Sequence, residues 1–303
     1  MSYPLAIIGA PSSAGAYAPG QEQAPSALRA AGLVKSLHDR GITADDRGDV
    51  AGFRWRLDPA NPRAMNVGAA AGVAKAVADQ VSSALAGDMN VLVLGGDCTV
   101  ELGTVAGALA GTENVGLIYI DLDTDLNTPR STADGALDWM GVAHMLAIED
   151  AEPALAGLGP RLPMLRPEQI LFFANDNSKD FERKIIDQYA MAEVRLAQVM
   201  ANPSSAARSV VEGWAQPFER LLIHMDVDVL DYLNMPLAEN YRRNYGLHFD
   251  QLVASLRVLL QAPNWAGLTI TELNPDHSDE ATLERFAQAI AGALSVAPRL
   301  QGD

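Results

Sequence analysis

The chain has 303 residues, 49% of hydrophobic type and 20% charged, with a formal net charge of −16 and a single cysteine. That length can bury a substantial core in one large α/β domain or two smaller ones. The acidic balance, without a lysine or arginine cluster, argues against nucleic acid and anionic membranes as partners, and no apolar run reaches the length of a membrane span.

Cys98 alone excludes an internal disulfide and fits a reducing compartment. The opening MSYPLAIIGAP lacks a basic flank, an apolar core and a cleavage site, so it reads as a first strand rather than a signal peptide. A cytoplasmic location is expected.

Leu5 to Ile8 reads as a strand running into a loop, Gly9 to Gly15, that lacks the spacing of a dinucleotide or P-loop fingerprint. A helix is expected from Pro25 to about Leu37, then an irregular crossover with a short strand over 40–67. A long alanine-rich helix follows from about Ala70 to Leu85. Asn90 to Leu94 is a buried-type strand, Val100 to Ala110 a helix, and Leu117 to Ile120 the central strand. Met140 to Glu149 reads as helix, Ile170 to Phe173 as strand, and Lys179 to Tyr189 as a charged helix. A brief strand at Val194 to Leu196 and a helix from Pro203 to Trp214 come next. Strand Leu221 to Asp226, helix Phe249 to Leu260, strand Gly267 to Thr271 and helix Asp279 to Val296 complete the chain. Strands alternate with helices, with no linker or composition break. This predicts one α/β domain over 1–303, a three-layer, doubly wound, mainly parallel sheet that binds ligands beyond the carboxyl ends of its strands.

Four strand ends carry chemistry. They offer Asp97 and Cys98; Asp121, Asp123 and Asp125; Asp226 and Asp228; and Glu272. If the chain stays extended, alternate residues point the same way, so the aspartates at 121, 123 and 125 converge. Clustered carboxylates repel one another unless a cation lies among them. The bland reading of this stretch is a solvated acidic turn, and the second Asp-x-Asp pair weighs against it. The bland reading of Cys98 is a small buried residue.

Taken in order, GGDCT at 95–99, DLDTDLNTP at 121–129, DVDVLD at 226–231 and TELNP at 271–275 resemble the four motifs of the ureohydrolases. That family comprises arginases, agmatinases and formiminoglutamases. The opening IIGAPSSAGAYAPGQEQAPSALRAAG is also similar to an arginase N-terminus. The resemblance spans nearly the whole chain and weakens between about 150 and 215. It implies an arginase-like fold, a two-manganese cluster that activates water against a guanidino or amidino carbon, and homo-oligomers (trimers or hexamers).

Carried over by position, the metal ligands are Cys98, Asp121, Asp123, Asp125, Asp226 and Asp228. Cys98 and Asp123 stand where the family has histidines, which adds two negative charges when all are ionised. A thiolate favours softer ions, while the carboxylates suit manganese or magnesium. Asp138 falls at the loop position of a proton-relaying histidine, with His144 as the other candidate. Glu272 matches the glutamate that pairs with the substrate guanidinium. Asn127 matches an asparagine that holds the amino-acid end, and Asp134 replaces a serine in the same loop. Trp139 either stacks on a guanidinium or packs. Arg242 and Arg243, in a segment unlike the family's, either meet a carboxylated substrate, face solvent or lie at subunit contacts.

The leading reading is a metal-dependent hydrolase of a linear C–N bond in a guanidino or amidino compound. In it Glu272 orients the cation, and a carboxylate (Asp123 and Asp138 are the candidates) or water returns the proton to the leaving amine. Two other readings stay open. One makes Cys98 a metal-free nucleophile. The other is a degenerate relative that binds a ligand or partner subunit without turnover.

Overall fold

The structure, a computed structural model, describes residues 3–301. The short apolar runs become strands because helices cover both of their faces. These are β1 (Leu5–Gly9), β2 (Ala44–Asp49), β3 (Asn90–Leu94), β4 (Val115–Ile120), β5 (Ile170–Phe173), β6 (Ala192–Val194), β7 (Arg220–Asp226) and β8 (Trp265–Thr271). They form one sheet in the order β2-β1-β3-β8-β7-β4-β5-β6, and all its pairings are parallel.

Alternate strand residues feed two cores. Leu5, Ile7, Leu92, Ile118 and Ile223 face the helices Leu33–His38, Phe249–Leu259 and Glu280–Leu294. Ala6, Ile8, Val91, Val93 and Leu117 face Val67–Ala86 and Val100–Leu109. This is the three-layer, doubly wound arrangement expected. No helix among the described residues is long and apolar enough to cross a membrane.

The differences from the sequence reading are local. The helix expected from Pro25 to Leu37 is two, Ala24–Ala30 and Leu33–His38, parted where Gly32 adopts a φ of 79°. The helix expected at 140–149 shortens to Gly141–Met145 after a 3-10 turn. Pro203–Ser209 continues as a π turn, Val210–Trp214, rather than as α-helix. Short helices at Pro153–Ala156 and Leu196–Ala201 were not expected. The middle of the sheet is β8 and β7, with β4 beside them.

Register sets the height of each strand end. Ile120 lies opposite Met225, Asp226 opposite Thr271, and Leu94 opposite Ile270. The residues that follow β3, β4, β7 and β8 therefore emerge side by side.

Gly96 is needed at this edge for close approach. A Cβ there would lie 1.7 Å from the Ser12 carbonyl oxygen, a backbone atom that cannot swing away. Gly96→Ala is expected to cost about 3 kcal/mol and to lower the thermal midpoint by roughly 6–12 °C. Gly213→Ala, where a Cβ meets nothing within 4 Å, is the control and should leave the midpoint nearly unchanged.

Candidate functional site

Three of the four strand ends are locked by the same local device. The Asp121 carboxylate accepts the Asp123 N–H at 2.7 Å, the Asp226 carboxylate accepts the Asp228 N–H at 2.7 Å, and Asp97 accepts the Thr99 N–H at 3.0 Å. An aspartate that bonds the amide two residues on turns the chain sharply out of the strand. The extended geometry expected for Asp121 to Asp125 therefore does not hold. β4 stops at Ile120, and Asp125 takes a left-handed φ of 48°.

The carboxylates converge all the same. Oxygens of Asp121, Asp123 and Asp228 lie within 4.8 Å of one another. Asp125 is outside that group, its carboxylate accepting the Tyr119 hydroxyl, but it lines the same cleft. Asp97 faces the other way. It is fully buried and accepts from the Ser12 hydroxyl and the Gly15 amide, so it clamps the N-terminal loop rather than entering the cleft.

The cleft is lined by Asp121, Asp123, Asp125, Asp138, Asp226, Asp228 and Glu272, with Cys98, Tyr17, Trp139 and Asn240. Burial and then the neighbouring carboxylates push Asp121 and Asp226 well above the usual carboxylate range. Burial likewise raises Asp125 and Asp138. Asp228 is pushed up to about 6 and Glu272 to about 8, burial first and carboxylates second in both.

Among the described residues, Arg242 is the cation paired with this cluster, 2.5 Å from Asp123. Burial opposes its charge, but Asp228 and Asp123 hold it protonated. Expected to meet substrate, solvent or a subunit contact, it is paired here with Asp123. Arg243 is exposed, lying over the Tyr241 ring. The segment that carries Arg242 folds over the cleft, and the Asn240 amide donates to Asp228 at 3.3 Å.

Glu272, held at a φ of 64°, accepts the Cys98 N–H at 2.9 Å and the Gln21 amide at 3.1 Å. Cys98 is buried, its sulfur 3.2 Å from an Asp226 oxygen and 3.2 Å from the Thr271 hydroxyl. Burial and the surrounding carboxylates push its thiol far up. That opposes the metal-free nucleophile, because the reactive form is the thiolate.

Two residues escaped the sequence reading. His224, within β7, lies 3.6 Å from the Cys98 sulfur, and its other ring nitrogen is 3.7 Å from Glu101. Both are fully buried. The available signal was a polar side chain at a core position: His224 in LLIHM and Glu101 in VELGTVAGAL.

The arginase-family profile matches residues 3–295. The chain belongs to the arginase family. Arginase from Bacillus caldovelox is 27% identical over 301 residues, covering 96% of this chain and 97% of that one. Mitochondrial arginase-2 from Bos taurus is 31% identical over 291 residues, covering 89% and 77%. The solved Bacillus caldovelox arginase superposes with a TM-score of 0.87 at 25% identity, covering 97% of this chain and 98% of that one. Proclavaminate amidino hydrolase from Streptomyces clavuligerus shares the fold, with a TM-score of 0.74 at 17% identity, covering 98% and 92%.

In this arginase-family protein the loop residues expected at the substrate's amino-acid end are placed differently from the cleft carboxylates. Asn127 is buried, its amide donating to Glu182 and its oxygen accepting from Lys179, and it does not line the cleft. Asp134 is exposed and accepts the Ala136 N–H. His144 is fully buried, its ring bonded to the Met140 carbonyl at 2.6 Å, and burial lowers it to about 4. It stands as a neutral structural residue away from the cleft lining.

Proposed function

We propose that this chain is a metal-dependent hydrolase of a linear, non-peptide C–N bond in a guanidino or amidino compound, releasing urea or a urea analogue. The observation that carries the reading is charge imbalance. Seven carboxyl groups line one cleft and one guanidinium is paired with them. Such a cluster is tolerable when charged only with further cations between its members.

The donors fit that requirement. An Asp228 oxygen is buried without a hydrogen-bond partner, and the carboxylates form a hard oxygen set suited to manganese or magnesium. Divalent ions would be held by Cys98, Asp121, Asp123, Asp125, Asp226 and Asp228. Bound there, they supply Lewis acidity and make a water acidic enough to act as a nucleophile near neutral pH.

The chain's own groups do the rest. Glu272, fixed by the Cys98 amide and Gln21, presents a carboxylate to a planar cation. Asp138, buried in the cleft lining with burial raising its hold on a proton, is the candidate that returns a proton to the leaving amine, and the partly exposed Asp123 is the second candidate. The exposed Asp134 meets an ammonium group, whereas Asn127 must first exchange its bonds to Glu182 and Lys179. By family resemblance the same proposal includes one folded unit over 1–303, a cytoplasmic location, manganese as the ion, and a trimer or hexamer.

The test is urea or hydroxyurea release over a panel of guanidino and amidino compounds, with manganese, zinc, cobalt and nickel supplied in turn. Metal-dependent release from at least one compound, lost to a chelator, is the expected result. Folded, metal-loaded protein that is inactive across the panel would point to a binding protein without turnover. Turnover that survives the chelator and is lost on alkylating Cys98 would point to the thiol.

A further inference from the structure

His224 and Glu101 sit on neighbouring elements, β7 and the first turn of the helix Val100–Leu109. Each is fully enclosed, and both Glu101 oxygens and His224 Nδ1 lack a hydrogen-bond partner. Unpartnered polar atoms in a core are costly, so their retention at adjoining positions calls for a reason. The His224 ring is also pinned, stacked on Tyr119 with centroids 4.0 Å apart and planes 16° apart.

We propose that Cys98, His224 and Asp226 form a mixed sulfur–nitrogen–oxygen position for one transition-metal ion of zinc or cobalt type, with Glu101 orienting the imidazole. The inference rests on the metal-dependent reading above and adds a ligand to it. His224 supplies, from within β7, an imidazole that the loop after β3 lacks.

Three features support it. The first is size. The Cys98 sulfur lies 3.6 Å from His224 Nε2 and 3.2 Å from an Asp226 oxygen, and the three donor atoms all lie within 4.8 Å of one another. Around a tetrahedral ion, sulfur-to-nitrogen and sulfur-to-oxygen edges are about 3.5–3.6 Å. The second is orientation. Glu101 lies 3.7 Å from His224 Nδ1, and a small closure lets Nδ1–H donate to it. That leaves the Nε2 lone pair on the Cys98 side, the carboxylate–histidine–metal relation that fixes tautomer and basicity in metal sites. The third is donor chemistry. This set has the only thiol of the chain and an imidazole, whereas Asp121, Asp123 and Asp228 form a separate all-oxygen group. Soft and hard ions therefore have different addresses.

A thiol nucleophile would use a similar row of Glu101, His224 and Cys98. The Asp226 oxygen 3.2 Å from the sulfur separates the two ideas, because a carboxylate there repels a thiolate unless a cation lies between them.

The experiment uses the full chain, stripped with a chelator and titrated with cobalt and then zinc. The wild type is expected to show a thiolate-to-cobalt charge-transfer band that zinc displaces and that Cys98→Ser abolishes. Glu101→Gln, which removes charge and keeps shape, should weaken that cobalt by roughly 10–100-fold. His224→Gln should weaken it further and change the visible ligand-field bands. Circular dichroism checks each fold, and if His224→Gln does not fold, Glu101→Gln carries the test. Cobalt bound with the thiolate band, but with affinity and spectrum indifferent to both variants, overturns the inference and leaves the metal-dependent reading intact. Folded wild type that takes up no ion overturns both. Rapid alkylation of the metal-free thiol, with turnover in chelator, replaces both with the nucleophile.

Discussion

Asp121→Asn and Asp226→Asn are expected to strip the purified chain of divalent ions and to lower guanidine hydrolysis by about 10³-fold or more, while the fold survives. The magnitude follows from losing several kcal/mol of metal-derived stabilisation at about 1.4 kcal/mol per decade. Asparagine is the informative replacement. It keeps the side-chain oxygen that accepts the Asp123 or Asp228 amide, so each turn out of the strand is retained. It removes the charge and replaces the second carboxylate oxygen, an acceptor, by an NH2 donor. At pH 8 the metal-free variants should unfold at a higher temperature than the metal-free wild type, because each removes a carboxyl group whose ionisation burial and its neighbours disfavour in the folded chain. Elemental analysis of protein purified without chelator, with calorimetry on the same samples, checks both halves. Stoichiometric metal in both variants would contradict the assignment.

The metal-free chain is expected to lose stability as pH rises from about 5 to 8. Glu272 is raised from its ordinary 4.5 to about 8 and Asp228 from 3.8 to about 6, by burial and then by neighbouring carboxylates. A carboxyl group raised on folding binds its proton more tightly in the native state. Between the ordinary and the raised values, the unfolded chain therefore holds fewer protons, and stability falls with pH by up to about 1.4 kcal/mol per unit for each such group. The Glu272 contribution is fully present below about 4.5 and gone above about 8. Divalent ions change the trend, because they bind the deprotonated ligands and their stabilisation grows with pH. Thermal midpoints from pH 5 to 8, with chelator and with manganese, should diverge as pH rises. A chelator-treated midpoint that is flat or rising over this range would remove the electrostatic basis of the site.

What the sequence disclosed follows from which residues carry local information. LAIIG, NVLVL, VGLIYI and ILFF declare buried parallel strands by composition alone, and the acidic residues after them mark the edge where ligands gather. Helix interruptions were less legible. Gly32 splits a continuous apolar pattern through one left-handed residue, and the 141–145 helix stops short of its periodic signal. At the cleft, strand alternation named the right aspartates for a partly wrong reason. Asp121 and Asp226 bend the chain by bonding their own i+2 amides, a local turn that alternation along an extended strand does not report. His224 and Glu101 were missed, and the partner of Arg242 was not foreseen, for a different reason. Their significance lies in contacts across 126, 123 and 119 positions of sequence, which only the sheet register and the overlying 237–246 segment create.

The bond between Arg242 and Asp123 bears on how the cleft is filled. The protein already presents a guanidinium of its own to the carboxylates, on a tether that keeps its local concentration high. A cation that takes that same Asp123 oxygen has first to displace the tethered guanidinium, so its net affinity there is lowered by the cost of breaking the ion pair.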